Sequence, residues 1–571
     1  MPRVDHPRYS RALAGISPKQ LLEQKPYWAS RMSLELAQKI ISRLDKMKGD
    51  RYNYDSQWQE IGDFMDPFRA DFTIQRTPGE KRMQYIFDGT AMYSSDNLAD
   101  SMWSLTINSA TKWFELETSD SDLNKDDAVK KWFEDCANRM MSQFGRNSGR
   151  FYSSAMEMYR DLGLFGTGVL YLEERKEEAL LMWRCFSIAS CYLGENYYGN
   201  IDTLFRPFKL SVRQIIQKWK DTASKHVLEK AEKNPDEMIE IIHAVAPRAD
   251  LDGGNSQEFA SVYMESQTKT ILEKQYYKKF PYFTPRWSTR SGNIYGDSPA
   301  MRALPDVKML NRMESDIIRN AEKQTNGMWL AEEELARKNI TMRPGQIIPG
   351  ALRNGNPLIV PLPQNGGDPR IGFETSEQRR EMVKNFFYVN LLNTIENPNM
   401  TATEAMIRQQ EQQRQMAPHL ARLHSEFLDP VVTRVFDMML DGGYFIEQPP
   451  TLQEYKGQLR VNYVSPLARA QKNADGMGVI NSVQTVGMLA QLDPSVIDNI
   501  NPDGAANAIF AANGMPASAI RSPEEMADIR KQRAQQQQAQ QMVEAAQPVS
   551  SAAKNMAEAE QISEGGQRVA A

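Results

Sequence analysis

Cysteine is scarce in this chain of 571 residues, which contains three: Cys136, Cys185 and Cys191. Their spacing includes no Cys-x-x-Cys pair, so we expect buried or half-buried thiols in a reducing compartment rather than a disulfide framework or a metal site. No apolar run approaches the roughly 18 residues that a membrane span needs. The chain starts without the apolar segment of a secretion signal, so we expect it to be made and kept in a cytoplasm.

An excess of basic residues is also lacking. The chain carries 68 Lys and Arg against 73 Asp and Glu, which gives a formal net charge of -5. Proteins that neutralise nucleic acid phosphates usually carry a basic excess, so tight nucleic acid binding by the whole chain is disfavoured. The 41% of apolar and 25% of charged residues are typical of a folded protein. At about 150 residues per domain, the length indicates three or four domains or one elongated subunit.

Nucleotide-binding and catalytic motifs are missing as well. The sequence has no Gly-x-x-x-x-Gly-Lys-Ser/Thr loop, which weighs against an ATP-driven motor or helicase. Residues 163–168 are rich in glycine, but they lead into a predicted strand and lack the lysine, which favours a helix-to-strand turn. The five histidines form no His-Glu-x-x-His motif, and no Gly-x-Ser-x-Gly elbow is present. We therefore predict no catalytic residue, no cofactor and no metal ion.

Helical and strand-like patterns alternate up to about residue 297. Residues 1–33 are polar and mildly basic and are predicted to form a flexible arm. From Ser33 apolar residues recur at helical spacing, and a second helix follows that is predicted to stop at Pro67. Around residues 113–117 the period changes to two, as in a strand. These patterns predict an α+β fold that is predominantly helical.

Two long helices are predicted on either side of a segment rich in glycine and proline. The first opens at Ser298 and runs over 298–324, about 40 Å. Residues 325–375 then favour a small β-containing insertion. The second helix is predicted over 376–392, about 25 Å, and a polar loop follows at 393–400.

The remainder of the chain is predicted to be mainly helical. Residues 401–465 hold a long helical stretch and a strand, and Pro418 and Pro430 are expected to kink or divide that stretch. Residues 466–520 again favour helices. The Ala- and Gln-rich tail, 521–571, is predicted to be helical in an assembly or disordered alone.

Four segments make the chain resemble a known family. In order they are Asp161-Leu162-Gly163-Leu164-Phe165-Gly166-Thr167-Gly168, Tyr295-Gly296-Asp297-Ser298-Pro299-Ala300-Met301, Asn399-Met400-Thr401-Ala402-Thr403-Glu404 and Tyr463-Val464-Ser465-Pro466-Leu467-Ala468. Together they resemble the portal, or head-to-tail connector, proteins of short-tailed double-stranded DNA bacteriophages. The resemblance covers roughly residues 34 to 480, so the arm and the tail after about 520 lie outside it.

The resemblance implies a portal fold that assembles as a ring, usually of about twelve copies, at one vertex of the capsid. In this family a wing surrounds a two-helix stem, a clip projects between the stem helices, and a helical crown faces the capsid interior. The implied wing is 34–297 with 401–465, the stem is 298–324 with 376–392, the clip is 325–375, the tunnel loop is 393–400, and the crown is 466–520.

The implied function is that of a conduit. Double-stranded DNA would pass through the ring without sequence specificity during packaging and ejection. Terminase, and later the tail adaptor and nozzle proteins, would dock on the clip, and capsid and scaffolding proteins would be further partners. The protein would lie at the head-tail junction of the virion, with a stage in the host cytoplasm during assembly and no membrane partner.

Candidate site residues follow from this mapping. The tunnel loop would present Asn393, Glu396, Asn397 and Asn399. Stem charges that face the channel would be Arg312, Arg319, Lys323 and Lys384. The clip surface for terminase or adaptor would include Glu332, Glu333, Arg337, Arg343 and Arg353.

Two other readings stay open. A metal-dependent nuclease acting in packaging would use carboxylates as metal ligands, and Asp126 and Asp127 are the residues to test. Such acidic clusters are more often solvated loops or helix N-termini. The other reading is a scaffold or adaptor whose long helices assemble differently, which particle symmetry would distinguish.

Overall fold

A computed structural model describes residues 27–539 apart from internal gaps, of which the longest are 338–346, 362–368 and 393–413. The chain divides into two compact units. The first comprises Met1–Thr111 and Met140–Gly442, and the second Lys112–Arg139 and Gly443–Ala571. The described residues combine α-helices with antiparallel β-sheets, which confirms the predicted α+β class.

Eleven longer helices are described in this part of the chain, and we number them in order. They are α1 (Tyr27–Met65), α2 (Thr90–Thr106), α3 (Asp127–Phe144), α4 (Phe151–Phe165), α5 (Val212–Trp219), α6 (Lys225–Lys233), α7 (Pro299–Thr325), α8 (Pro369–Phe386), α9 (Asp429–Asp441), α10 (Pro466–Leu489) and α11 (Pro502–Ala512). Residues 414–423 and 525–539 are helical too. Single helical turns occur at Arg248–Leu251, Val389–Leu392 and Pro450–Gln453.

The strands are numbered in the same way. They are β1 (Phe114–Thr118), β2 (Leu170–Arg175), β3 (Leu180–Cys185), β4 (Tyr192–Glu195), β5 (Ile201–Ser211), β6 (Met238–Pro247), β7 (Phe259–Glu265), β8 (Ile271–Tyr277), β9 (Tyr282–Phe283), β10 (Trp329–Ala331), β11 (Leu352–Arg353), β12 (Asn356–Pro357), β13 (Ile359–Pro361) and β14 (Leu459–Tyr463). A five-stranded antiparallel sheet has the order β4-β5-β6-β7-β8, and a three-stranded one has the order β3-β2-β9. Two-stranded pairs join β1 to β14, β10 to β13 and β11 to β12.

The core of the first unit covers both faces of the five-stranded sheet. Successive side chains of a strand point to opposite faces, so β6 can be apolar on both. Its Ile242 and Ala244 pack with Ile40 of α1, whereas its Ile241 packs with Val227 of α6. The sheet is therefore the middle layer of a helix-sheet-helix arrangement.

Helix α1 corrects two expectations. The two helices predicted between Ser33 and Pro67 form one continuous helix, which begins at Tyr27, inside the predicted arm. The polar stretch between the two apolar patterns stays helical because Arg51 is buried there. Its guanidinium donates to the carbonyls of Ile188 at 2.8 Å and Cys191 at 2.6 Å. Residues 1–26 of the predicted arm lie outside the described residues.

The two predicted long helices are present, with one correction. The first, α7, matches its predicted bounds within one residue. The second, α8, begins seven residues earlier than predicted, at Pro369, and ends at Phe386 rather than 392. The chain breaks at Tyr388, whose φ of 59° is left-handed, before the turn Val389–Leu392. Two strand pairs, β10 with β13 and β11 with β12, lie in the insertion between α7 and α8.

The helix that ends at Asp441 continues through Pro430 without a break. The turn His424–Leu428 is π-helical and leads directly into α9, whose second residue is Pro430. A proline cannot donate its backbone nitrogen to an α-helical hydrogen bond, and a wider turn before it takes up the change of register. Helix α9 ends at Asp441, just before Gly443, whose φ of 70° is left-handed.

The second unit is built around the pairing of β1 with β14. Phe114 lies opposite Tyr463, and the Asn462 side-chain amide donates to Glu117 at 2.9 Å. Both strands were predicted, but their pairing joins residues about 345 positions apart. The fourth resemblance segment therefore begins at the end of a paired strand, and α10 and α11, which follow, pack against each other.

Candidate functional site

Helices α7 and α8 form an antiparallel pair. The late part of α7 meets the start of α8, where an added Cβ on Gly372 would lie 3.4 Å from Ile317. The early part of α7 meets the late part of α8, where the Arg379 guanidinium donates to Asp306 at 2.6 Å. Because Gly372 has no side chain, the two helices approach closely at the end that carries the insertion.

Arg380 bonds this helix pair to the start of α2. Its guanidinium donates to Asp88 at 2.8 Å and to Glu314 of α7 at 2.7 Å. The Asp88 and Glu314 side chains are 8% and 12% exposed, so both carboxylates are largely shielded from water and rely on Arg380 for their opposite charge. Although burial acts to raise it, hydrogen bonds from Thr90 and Arg380 hold the pKa of Asp88 below its usual range. Arg380 therefore positions both α7 and α8 against α2.

The start of α7 is positioned by a tight crossing of two chain segments. Gly166 ends α4 with a φ of 75°, and an added Cβ there would lie 2.2 Å from the carbonyl oxygen of Gly296. The reverse clash, of a Cβ on Gly296 with the Gly166 oxygen, is also 2.2 Å. The Thr167 hydroxyl accepts from the Gly296 backbone nitrogen at 2.9 Å. Only glycine fits at either position.

Ser298 connects this crossing to α7. Its hydroxyl accepts from the backbone nitrogen of Met301 at 3.0 Å, as an N-cap does, and donates to the Leu164 carbonyl at 2.7 Å. Residues 161–168 and 295–301, the first two resemblance segments, are thus in direct contact. Their residue types follow from this geometry: two glycines for the crossing and a hydroxyl to cap the helix.

The end of α8 is held by a second cluster. The Tyr388 hydroxyl lies 3.3 Å from Nε2 of His419, whose ring stacks on Trp287 with centroids 4.3 Å apart. Nδ1 of His419 lies 3.2 Å from the Trp287 carbonyl oxygen, so this nitrogen carries the proton and Nε2 accepts from Tyr388. Burial lowers the pKa of His419, which favours this neutral form. The left-handed Tyr388 is therefore fixed at the point where the chain leaves α8.

An ion pair from the π-helical turn supports the same region. Glu426 accepts from Arg286 three times, from the backbone nitrogen at 2.9 Å, from Nε at 3.2 Å and from Nη2 at 2.9 Å. Arg422 donates to the same carboxylate at 2.7 Å. Arg286 directly precedes Trp287, and its side chain is 7% exposed. The wide turn thus places a carboxylate beside a buried arginine next to the cluster that holds α8.

Comparison with known proteins assigns the chain to a family. A family model described as bacteriophage head to tail connecting protein matches residues 37–520, which include α7, α8 and the crossing. The chain belongs to this family. Family membership gives it a role in connecting head and tail, and it confirms the resemblance drawn from the four segments.

Two proteins named as portal proteins are similar to nearly the whole chain. The "Portal protein" of Salmonella phage epsilon15 is 29% identical over 534 residues, which covers 91% of this chain and 95% of the relative. The "Probable portal protein" of Bordetella phage BPP-1 is 31% identical over 527 residues, with 88% and 92% covered. Both matches extend over both units of the chain.

The predicted stem charges lie where the sequence placed them, on α7 and α8. Arg312 donates to Asp316 at 3.0 Å, and Lys384 donates to Glu381 at 2.7 Å. Arg319 and Lys323 are exposed late in α7. That these side chains face a channel stays a prediction, because a channel wall needs several copies of the chain.

The predicted clip residues are partly described. Arg353 donates to Glu332 at 3.2 Å, Arg337 donates to Glu333, and all four are exposed. Arg343 lies outside the described residues, as do the four tunnel-loop residues Asn393, Glu396, Asn397 and Asn399. Their roles at the clip and in the tunnel loop stay predictions.

The acidic residues suggested as metal ligands have other contacts. Asp126 accepts from the Ala128 backbone nitrogen at 2.9 Å and from the Thr451 hydroxyl at 3.2 Å. Asp127 lies 3.5 Å from Lys130. No group of three His, Cys, Asp or Glu in the described ranges is placed to hold a metal ion. Within the same ranges, no helix combines the length and apolarity needed to cross a membrane.

Sequence reasoning missed the residues that position the helix pair. Ser298 had a signal, since a serine before a proline is a typical helix start, but its second bond to Leu164 had none. Arg380 is separated from Asp88 by 292 residues, and Arg286 from Glu426 by 140. No local pattern marks such pairs.

Proposed function

We propose that this chain is the portal subunit of a short-tailed, double-stranded DNA bacteriophage. It assembles as a ring of about twelve copies at one capsid vertex, the closed cyclic arrangement that heterologous contacts produce. The genome passes through the ring during packaging and again during ejection. The observation that carries the proposal is the antiparallel pair α7 and α8, positioned at one end by the Gly166 crossing, within a chain of the head-to-tail connecting family.

The helix pair supplies the channel wall in this proposal. Helix α7 spans 27 residues, or about 40 Å, long enough to line a channel through a ring of this kind. Its charges nearly cancel, with Arg302, Lys308, Arg312, Arg319 and Lys323 against Asp306, Glu314, Asp316 and Glu322. A wall of balanced charge avoids the strong, salt-dependent binding that clustered cations give to phosphates. DNA can then move along it without being retained.

The insertion and the loop after α8 take the partner-dependent roles. Terminase, and then the tail adaptor and nozzle proteins, dock on the exposed segment between α7 and α8, where Glu332 and Arg353 lie. Residues 393–400 face the channel and contact DNA. Capsid and scaffolding proteins contact the remainder of the ring, and the subunit passes through the host cytoplasm before it reaches the virion.

Electron microscopy of the purified chain, together with its native mass, tests the ring. We expect particles with a central hole and the mass of about twelve chains. Met382→Pro should abolish them, because a proline in the interior of α8 costs about 3 kcal/mol or more, whereas Met382→Ala at the same exposed position should retain them. A chain that stays monomeric at every concentration, or rings that survive Met382→Pro, would contradict the assignment.

The conduit role needs a separate test. Shortening 393–400 in the phage should leave rings intact and disturb DNA retention or passage, measured as the genome content of purified particles. Shortening the turn 266–269, whose Gln267 and Thr268 are exposed, by the same number of residues serves as the control. Loss of ring assembly from the first deletion would show that the loop is structural instead.

A further inference from the structure

The side of α7 that points away from α8 is basic. Glu314 and Ile317 mark the side that faces α8, since they contact Arg380 and Gly372. Three exposed cations follow at spacings of seven and four residues, and at about 100° per residue they share the opposite side of the helix. We call this set the basic edge; it consists of Arg312, Arg319 and Lys323.

The side of α8 that points away from α7 is acidic. Gly372 and Arg379 mark the side that faces α7, through Ile317 and Asp306. Three carboxylates recur at spacings of three and four residues on the other side of the helix. Glu374 is exposed, and the side chains of Glu377 and Glu381 are 59% and 46% exposed. We call this set the acidic edge; it consists of Glu374, Glu377 and Glu381.

The two edges lie at overlapping heights along the pair. The contact between Ile317 and Gly372 sets the register of the antiparallel helices. Five residues before Ile317 is Arg312, and five residues after Gly372 is Glu377, so these two side chains lie at the same level. Along the axis, Arg319 lies within about 6 Å of the level of Glu374. An Arg and a Glu side chain can together span such an offset.

We propose that neighbouring copies of this chain pair through these edges, the basic edge of one copy against the acidic edge of the next. Arg312, Arg319 and Lys323 then lie between copies, in place of the channel-facing position that the sequence predicts for them. The inference rests on the proposed ring and names the contact that orders it. A patch that meets a different patch on the next copy gives a ring when the rotation between copies closes, whereas a patch that meets itself gives a two-fold dimer. Pairing α7 with α7, or α8 with α8, would place like charges together, so the edges select the head-to-tail order.

Charges beside the edges leave the sign of each unchanged. Asp316, which is bonded to Arg312, and Glu322 flank the basic edge, so two carboxylates accompany three cations and the edge stays positive. Lys384 lies next to the acidic edge and is bonded to Glu381, and Glu377 accepts from Arg380 at 3.1 Å. Arg380 is shared with Asp88 and Glu314, so the acidic edge stays negative. Opposite charges therefore face each other at every interface of such a ring.

Two full-length charge reversals test this contact. One variant combines Arg312→Glu with Arg319→Glu, and the other combines Glu374→Lys with Glu381→Lys. Each alone should lower the fraction of chains in rings at least about tenfold, measured by native mass, because every interface then opposes like charges. Exposed charges outside the helix pair provide controls, and Lys220→Glu and Glu229→Lys should assemble as the wild type does.

Mixing the two reversed chains gives the decisive readout. Each variant's α7 now matches the other's α8, so the mixture should recover rings that contain both chains in equal numbers, detected through a tag on one. Rings from either variant alone at wild-type yield would overturn the edge pairing while leaving the ring in place. The edge pairing would also be overturned if the mixture formed no rings although both variants melt at the wild-type temperature. The same conclusion would follow if the yield of wild-type rings did not change from low to high salt. A wild-type chain that forms no ring would count against the proposed function itself.

Discussion

Asp161 and Arg69 form an ion pair in which the carboxylate is almost wholly buried, with 1% of its side chain exposed against 22% for Arg69. Only one carboxylate oxygen is bonded to Arg69; the other, Oδ2, is buried without a hydrogen-bond partner among the described residues. Burial raises the pKa of Asp161 to about 6, and Arg69 opposes that rise without cancelling it. Asp161 is also the first residue of the segment that ends in the Gly166 crossing.

This pair predicts a pH-dependent stability. The pKa in the folded chain lies above the roughly 3.9 of an unfolded Asp, so the folded state holds the proton more tightly. The stabilising contribution is complete below about pH 4 and is lost as the pH rises through about 6, by about 3 kcal/mol in total. Asp161→Asn removes this titration, and Arg69 stays charged throughout. Urea unfolding of both chains between pH 4 and 8 measures the difference, and a difference that is constant with pH would contradict the raised pKa.

The Gly166 crossing predicts a strong response to a single methyl group. Gly166→Ala should destabilise the chain by at least about 3 kcal/mol, because it adds a backbone clash to a left-handed conformation. Gly199→Ala is the matched control: its φ is 79°, but nothing lies within 4 Å of the added Cβ. It should cost about 1 kcal/mol. Thermal melting distinguishes the two, and equal losses would mean that the crossing opens easily.

Arg380 should matter far more than a surface cation. Arg380→Ala leaves Asp88 and Glu314 without their shared partner, and we expect a loss of about 3 kcal/mol in the free energy of unfolding. Arg380→Lys should recover only part of it, since an ammonium lacks the fork that reaches both carboxylates. Lys48→Ala, which removes an exposed ion pair with Asp45 at 3.8 Å, should change stability by less than about 0.5 kcal/mol. Equal effects at positions 48 and 380 would show that the half-buried Arg380 is dispensable.

Two serines at the helix pair should respond in opposite directions. Ser298→Ala loses the N-cap and the bond to Leu164, which should cost about 1–2 kcal/mol. Ser376 of α8 is fully buried, and its hydroxyl has no hydrogen-bond partner among the described residues. Ser376→Ala should therefore be neutral or stabilise the chain by about 1 kcal/mol. Denaturant unfolding measures both, and a loss at Ser376 would reveal a partner for its hydroxyl.

The sequence located α7 well because its start is encoded locally. Ser298 followed by Pro299 is a cap and a first-turn proline, and the apolar stripe of the helix continues to Ala321, near its last turn. The start of α8 carried a similar signal, Asp368 before Pro369, but the preceding Gly366-Gly367 favoured a turn over a helix start. The predicted start of α8 was therefore wrong because two local signals competed.

The break at Tyr388 had no local signal at all. The residues around it, Phe386, Phe387 and Val389, are apolar, and neither glycine nor proline interrupts them. Its left-handed backbone is stabilised by His419 and Trp287, which come from distant parts of the chain. The same holds for the contact between residues 161–168 and 295–301: the resemblance marked both segments, but only the fold shows that they touch. Periodicity predicts elements, and it does not encode which distant side chains will meet.

The close contact between Gly166 and Gly296 limits how far the orientation of α7 can vary. The crossing lies beside the first turn of a rod about 40 Å long, so one degree of rotation there moves the far end by about 0.7 Å. If this contact were loose enough to hold a methyl group, the insertion between α7 and α8 could be displaced by several ångströms. The close contact of the two backbones therefore restricts rotation of α7 about its first turn. In a closed ring, the insertions form a regular circle only if α7 has the same orientation in every copy.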